Sequence, residues 1–151
     1  MSRRFRLGVV LRLREMAEET ARIDLGHALE GHRRAVLSVE VAEGAAGAEM
    51  RWFSDLQRVG ADAGQLQSAA SAVAAAQRGI AAAQEKLAAA TKALFEARRS
   101  LAEASRQREV VERLRDRYTA AERREAERLD IVNMAEIAST QHAMRAVRER
   151  Q

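Results

Sequence analysis

The residues able to do chemistry in this chain are few, and their spacing argues against most of it. His27, Glu30 and His32 form the one group of metal-ligand types. Steps of three and five cannot bring both imidazoles onto one face of a helix that turns every 3.6 residues. They read as solvated or seam-edge side chains. No Walker loop, nucleophile elbow, paired-cysteine motif or glycine-rich phosphate cradle occurs. No catalytic residue, cofactor or metal is expected, and the chain reads as a non-enzyme.

What remains is charge and apolar surface. Arg3, Arg4, Arg6, Arg12 and Arg14 all precede the first acidic residue, Glu15. Such a start can seat against acidic groups, can be a solvated amphipathic beginning, or, with Phe5, Val9, Val10 and Leu13, can lie on a membrane surface. The stretch from Glu109 to Asp130 is rich in arginine, but Glu112, Asp116, Glu122, Glu125 and Glu127 would repel phosphates. It also lacks aromatic stacking platforms, so it reads as a solvated exterior and no nucleic-acid partner is expected. Over the whole chain 26 basic residues face 22 acidic ones, a net charge of +4. Trp52, Phe53 and Leu56 form a large apolar group; Trp52 fits a core position, and Phe53 beside it is the candidate exposed anchor.

These residues must be positioned by helices. The chain has 151 residues, no proline and only 3% aromatics, and it is dominated by alanine, arginine, glutamate and leucine. That composition signals coiled coil. From Trp52 a large apolar residue recurs every seven positions, through Val59, Leu66, Val73, Ile80, Leu87, Leu94 and Leu101. Alanines follow three positions after the later members (Ala69 to Ala104). This is a left-handed heptad seam whose small layers let two backbones approach closely. The first helix has a weaker stripe: Val9, Leu13, Met16, Thr20 and Ile23 alternate steps of four and three, then drift through Leu29, Val36, Leu37 and Val41.

Glycine pairs offer two turns, Gly44–Gly47 and Gly60–Gly64. Folding at 60–64 sets Leu101 against Ile23, Val111 against Leu13, Leu114 against Val10 and Leu87 against Leu37, so apolar residues meet at both ends. A turn at 44–47 leaves most of the second helix unpaired. The expected fold is all-α, a long two-helix antiparallel coiled-coil hairpin. It forms a single domain over 1–151, with helix 1 at about 5–58, the turn at about 60–64 and helix 2 at about 65–148. The expected core is Leu13, Ile23, Leu37, Leu66, Val73, Ile80, Leu87, Leu94, Leu101, Val111 and Leu114. Beyond Ala104 the stripe Val111, Leu114, Tyr118 and Ala121 reads as three residues out of register, a stammer. Further on, Ile131, Met134, Ile137 and Ala138 keep helical spacing.

No segment approaches the roughly 18–20 apolar residues of a membrane span. The basic start mimics a signal peptide, but Arg12 and Arg14 interrupt its apolar run and no small-residue cleavage site follows. The absence of cysteine fits a reducing compartment. A cytoplasmic location is expected.

The two chain ends carry more than periodicity. The segment RFRLGVVLRLREMAEETAR (Arg4 to Arg22) resembles the start of FliJ, the coiled-coil component of the bacterial flagellar type III export apparatus. REVVERLRDRYTAAERREAERLD (Arg108 to Asp130), followed by MAEIAS, resembles the second half of that family's C-terminal helix. The resemblance spans nearly the whole chain and implies a hairpin similar to the rotor stalk of rotary ATPases. It implies a stalk and adaptor whose tip enters the ring of the export ATPase (FliI-like) and regulates it. The stalk then couples the ring and its regulator to the export gate protein (FlhA-like) and escorts export chaperones. It further implies peripheral association with the cytoplasmic face of the inner membrane through these partners. On this reading the ATPase-binding tip is Arg3, Arg4, Arg6, Arg12, Arg14, Arg113, Arg115 and Arg117, and the gate contact is Trp52, Phe53 and Leu56. The alternatives are the stalk of a non-flagellar type III secretion system and a structural coiled coil that self-associates through its alanine seam.

Overall fold

Without proline, and with good helix formers throughout, the backbone has a local reason to leave the helix only at glycine. The computed structural model describes residues 3–148, and the side chains of residues 7–145 and 148. It holds two helices, α1 (Arg3–Val59) and α2 (Ala63–Arg148), packed against each other as an all-α hairpin. Gly44 and Gly47 lie inside α1.

The turn is built by two short-range devices. Gly60 has φ +75°, a left-handed conformation that costs any residue with a Cβ roughly 1–2 kcal/mol. Its N–H donates to the Gln57 carbonyl at 3.4 Å and the Ala61 N–H donates to the Leu56 carbonyl at 3.1 Å. That pair of bonds is a Schellman motif closing α1. Two residues on, the Gln65 N–H donates to Asp62 Oδ1 at 2.8 Å while the Asp62 N–H donates to Gln65 Oε1 at 3.3 Å. This reciprocal capping box starts α2. The sequence VGADAGQ thus ends one helix and begins the next within three non-helical residues, 60–62. Gly64 is already helical.

The chain divides into two compact units. One, the turn unit, is Met16–Ser105; the other, the end unit, comprises Met1–Glu15 and Arg106–Gln151. In the turn unit, α2 turns inward Leu66, Ala69, Val73, Ala76, Ile80, Ala83, Leu87, Ala90, Leu94, Ala97, Leu101 and Ala104, all buried or half-buried. The inward positions of α1 are Glu18, Ala21, Leu25, Ala28, His32, Ala35, Val39, Ala42, Ala46, Glu49, Phe53 and Leu56. Both sets step by four and three without interruption, the signature of a heptad seam. The Ser105 hydroxyl donates to Glu18 Oε1 across the pair at 2.8 Å. In the antiparallel register that this bond and the turn define, Leu25 falls opposite Ala97, Ala28 opposite Leu94 and Ala35 opposite Leu87. Large faces small in layer after layer.

The stripe expected for α1 is the other one. Leu13 is 59% exposed, and Ile23, Leu37, Met16 and Val41 are also exposed. The true seam lies two residues away, at Leu11, Ala21 and Ala35, all buried. The physical reason is volume. Where α2 carries leucine or isoleucine, at Ile80, Leu87, Leu94 and Leu101, the facing layer of α1 must be small for the axes to stay 8–10 Å apart. The register is correspondingly two residues from the expected one, so Ala21, not Ile23, falls opposite Leu101.

In the end unit the inward side chains are Leu7, Leu11, Arg108 and Val111, with Leu11 and Val111 buried. Arg14 Nη1 donates to Gln107 Oε1 across the pair. Leu114 is exposed, so it is not core. Counted along the sequence, Arg108 and Val111 follow Ala104 by four and seven. The heptad therefore continues with no stammer, and an arginine occupies the position where an apolar residue was expected. From Arg123 to Arg145 every described side chain is exposed.

Candidate functional site

All eight arginines of the expected tip belong to the end unit. The side chains of Arg3, Arg4 and Arg6, and that of Phe5, lie outside the described residues. Arg14 is held by Gln107. Arg113 pairs with Glu109 at 3.6 Å, and Arg115 with its neighbour Asp116 at 3.0 Å. Half-buried Arg108 pairs with Glu112 at 2.7 Å. The exposed pairs of Arg113 and Arg115 are worth about 0–1 kcal/mol each, so they leave the field of those arginines largely available. Arg12 and Arg117 are exposed and make no ion pair with any described residue.

The charge is unevenly shared. The end unit carries 16 basic and 10 acidic residues, a net +6, whereas the turn unit carries 10 and 12, a net −2. The positive potential of the chain is therefore the property of one unit. Among those cations sit exposed aliphatics: Val9, Val10, Leu13, Val110 and Leu114. On the heptad, Val10 and Leu13 flank the seam on α1, and Val110 and Leu114 flank it on the same side of α2. Four large apolar residues thus share one flank with Arg117, and Arg12 and Arg113 lie round the outside. Apolar anchors ringed by guanidinium groups suit a macromolecular partner with an acidic, partly apolar surface. They do not suit a small molecule, for which a concave pocket is needed. The hollows at Thr140–Arg148 and at Arg115–Arg123 are each lined by a single helix.

The large apolar group of the turn unit, Trp52, Phe53 and Leu56, is the reverse of its sequence reading. Phe53 and Leu56 occupy seam positions and are half-buried, while Trp52 stands 45% exposed beside the seam. A shift of one residue moves a side chain 100° round a helix, and the seam falls on Phe53. Met50, Trp52 and Val59 are the exposed large apolar side chains of this region. His32 is a half-buried seam residue, and His27 and Glu30 are exposed, with Glu30 accepting from Arg34 at 3.1 Å. Among the described residues no three potential metal ligands cluster.

Sequence reasoning overlooked the polar part of the seam. Glu18 is only 6% exposed and accepts from Ser105 at 2.8 Å and from Arg22 at 3.0 Å. A carboxylate at an inward position is costly to leave unsatisfied and so helps to specify register. The signal that finds it is alanine, which recurs every seven residues at Ala21, Ala28, Ala35 and Ala42.

Among known proteins, the family model of the flagellar FliJ protein matches residues 2–146 of the chain. No curated protein and no solved structure gives a significant match.

Proposed function

The chain belongs to the flagellar FliJ family and is a component of the flagellar export apparatus, and on that footing we propose that it acts as a non-enzymatic stalk and adaptor. In this reading the end unit seats in the ring of a FliI-like export ATPase and regulates it. The turn unit meets an FlhA-like export gate through Trp52, and export chaperones are escorted on the way. The protein works at the cytoplasmic face of the inner membrane, held there by its partners. No described helix is long and apolar enough to cross a membrane, in keeping with attachment through other proteins. The single observation that carries the proposal is the net +6 of the end unit, interleaved with exposed Val10, Leu13, Val110 and Leu114.

The test is ATPase stimulation by the double variant Arg12→Glu/Arg117→Glu. Both side chains are exposed, so circular dichroism should not change. Each reversal exchanges an attraction of up to about 1 kcal/mol for a comparable repulsion, which raises the half-saturating concentration about tenfold or more. Half-saturation unchanged from the parent chain, at low and high salt alike, would remove the electrostatic seat from the proposal.

A further inference from the structure

We propose that the turn unit carries a separate docking surface, centred on Leu29 and Phe95, whose occupant is a short acidic amphipathic helix of another protein. Phe95 is 67% exposed and Leu29 46% exposed. Leu29 and half-buried Val36 follow the inward residues Leu25 and His32 by four positions, a turn of about 40° from the seam. Phe95 follows Leu94 by one, about 100° in the same sense. Flanks of equal sense adjoin in an antiparallel pair, so the two helices contribute to one side. In the register that sets Leu25 opposite Ala97, Phe95 falls level with His27, about 3 Å along the axis from Leu29. Gly26, three residues before Leu29, has no side chain to cover it, and a Cβ built there meets nothing within 4 Å. Trp52 precedes Phe53 by one and so lies on the other side of the pair.

The occupant follows from charge. Arg33 follows His32 by one and Arg98 follows Leu94 by four, so both share that side. Lys92 and Arg99 stand three before and four after Phe95 and adjoin its outer edge. All four cations are exposed, and none has an ion-pair partner among the described residues. On this side α1 has no acid between Glu19 and Glu40, and α2 has none within the turn unit. Glu96, beside Phe95, is turned about 100° further away. The cations thus make a field that no acid on their own side cancels, over residues 22–36 of α1, roughly 21 Å. Beyond it the unit as a whole is net −2, which repels an extended polyanion such as a bilayer surface or a nucleic acid. An acidic helix of about four turns fits inside the field. Leu29 and Val36, seven residues apart, receive its apolar residues, and its carboxylates meet the guanidinium groups of Arg33 and Arg98.

The probe is a fluorescent synthetic helix of about 18 residues, with leucines in steps of three and four along one face and glutamates beside them. It is titrated with the full chain carrying Arg12→Glu/Arg117→Glu, which weakens the competing basic surface of the end unit. Fluorescence anisotropy should give a dissociation constant of roughly 10–100 μM for a contact this small. Adding Phe95→Ala should weaken binding about tenfold. Arg33→Glu/Arg98→Glu should weaken it about tenfold or more, while Arg51→Glu/Arg78→Glu, about 25 Å or more along the axes from Phe95, should leave it unchanged. All of these side chains are exposed, so circular dichroism should show unaltered helicity. The chain has no cysteine, so a quencher on Ala88→Cys, one heptad from Phe95, should dim the bound peptide. Absence of binding overturns the proposal. So does binding indifferent to Phe95→Ala, or an equal loss from the two arginine pairs. Phe95-dependent binding of phosphatidylserine–phosphatidylcholine vesicles or of a single-stranded oligonucleotide, with none of the peptide, also overturns it and gives the surface to that partner. None of these readouts depends on ATPase stimulation.

Discussion

Leu11 and Leu13 are the same residue type two positions apart, and the two available seams assign them opposite roles. In the structure Leu11 is 7% exposed and Leu13 59% exposed. Truncation to alanine removes three carbons, worth about 0.8 kcal/mol each when wholly buried. Weighted by burial, the transfer loss is about 2.2 kcal/mol for Leu11→Ala and about 1 kcal/mol for Leu13→Ala. A residual cavity beside Val111 raises the first figure towards about 3 kcal/mol. The slightly better helix propensity of alanine trims the second below about 1 kcal/mol. Urea unfolding followed by the helical signal at 222 nm reads the difference as a shift in midpoint at constant slope. Equal losses, or a greater loss for Leu13→Ala, would refute the seam described above and restore the one that hydrophobicity alone suggests.

Further outcomes follow from the turn and the layers. Gly60→Ala should lower stability by roughly 1 kcal/mol, because φ is +75° there; Gly44→Ala, helical and with nothing within 4 Å of the added Cβ, should raise it by about 0.8–1 kcal/mol. Thermal melts of the two variants should move in opposite directions. In the turn unit Ala28→Leu should cost about 1–3 kcal/mol by overpacking against Leu94, and Ala28→Leu/Leu94→Ala should recover most of that loss by conserving layer volume. A double variant no better than the sum of its parts would show that the two residues do not share a layer.

The legibility of each helix depended on which of its residues announced the seam. In α2 the large inward residues are the only ones of their size at heptad spacing, so Leu66 to Leu101 could be read directly, and the turn followed from paired glycines. In α1 more than half of the inward positions of the turn unit hold alanine, glutamate or histidine, while leucine, methionine and isoleucine form a rival stripe on the outside. Ranking by hydrophobicity therefore chose the wrong face, and the error passed on to Trp52 and Phe53. The expected stammer has the same origin, since the seam position after Ala104 holds a charged residue, Arg108, and not an apolar one. The arginines of the tip needed only the hairpin to share a unit. The flank of Val10, Leu13, Val110 and Leu114 beside them could be seen only after the register moved by two residues.

Why the less hydrophobic face of α1 wins is a question of layers rather than of residues. Had Ile23 and Leu37 faced Leu101 and Leu87, large would have met large at those levels and pushed the axes apart. At that wider spacing Ala97, Ala90 and Ala83 on α2 would have lost close contact, and every void in a close-packed seam forfeits dispersion contacts as well as burial. With Ala21, Ala28, Ala35 and Ala42 turned inward, Leu101, Leu94, Leu87 and Ile80 are each received by a small residue. The reverse holds where Leu25, His32 and Val39 meet alanine. Across these layers the summed volume is therefore nearly constant, which a two-helix seam needs if its axes are to stay parallel over successive turns. The cost is that Leu13, Met16, Ile23 and Leu37 remain in water. In the end unit that outward choice puts Leu13 beside Val10, Val110 and Leu114 among the arginines, the surface on which the proposed ATPase seat depends.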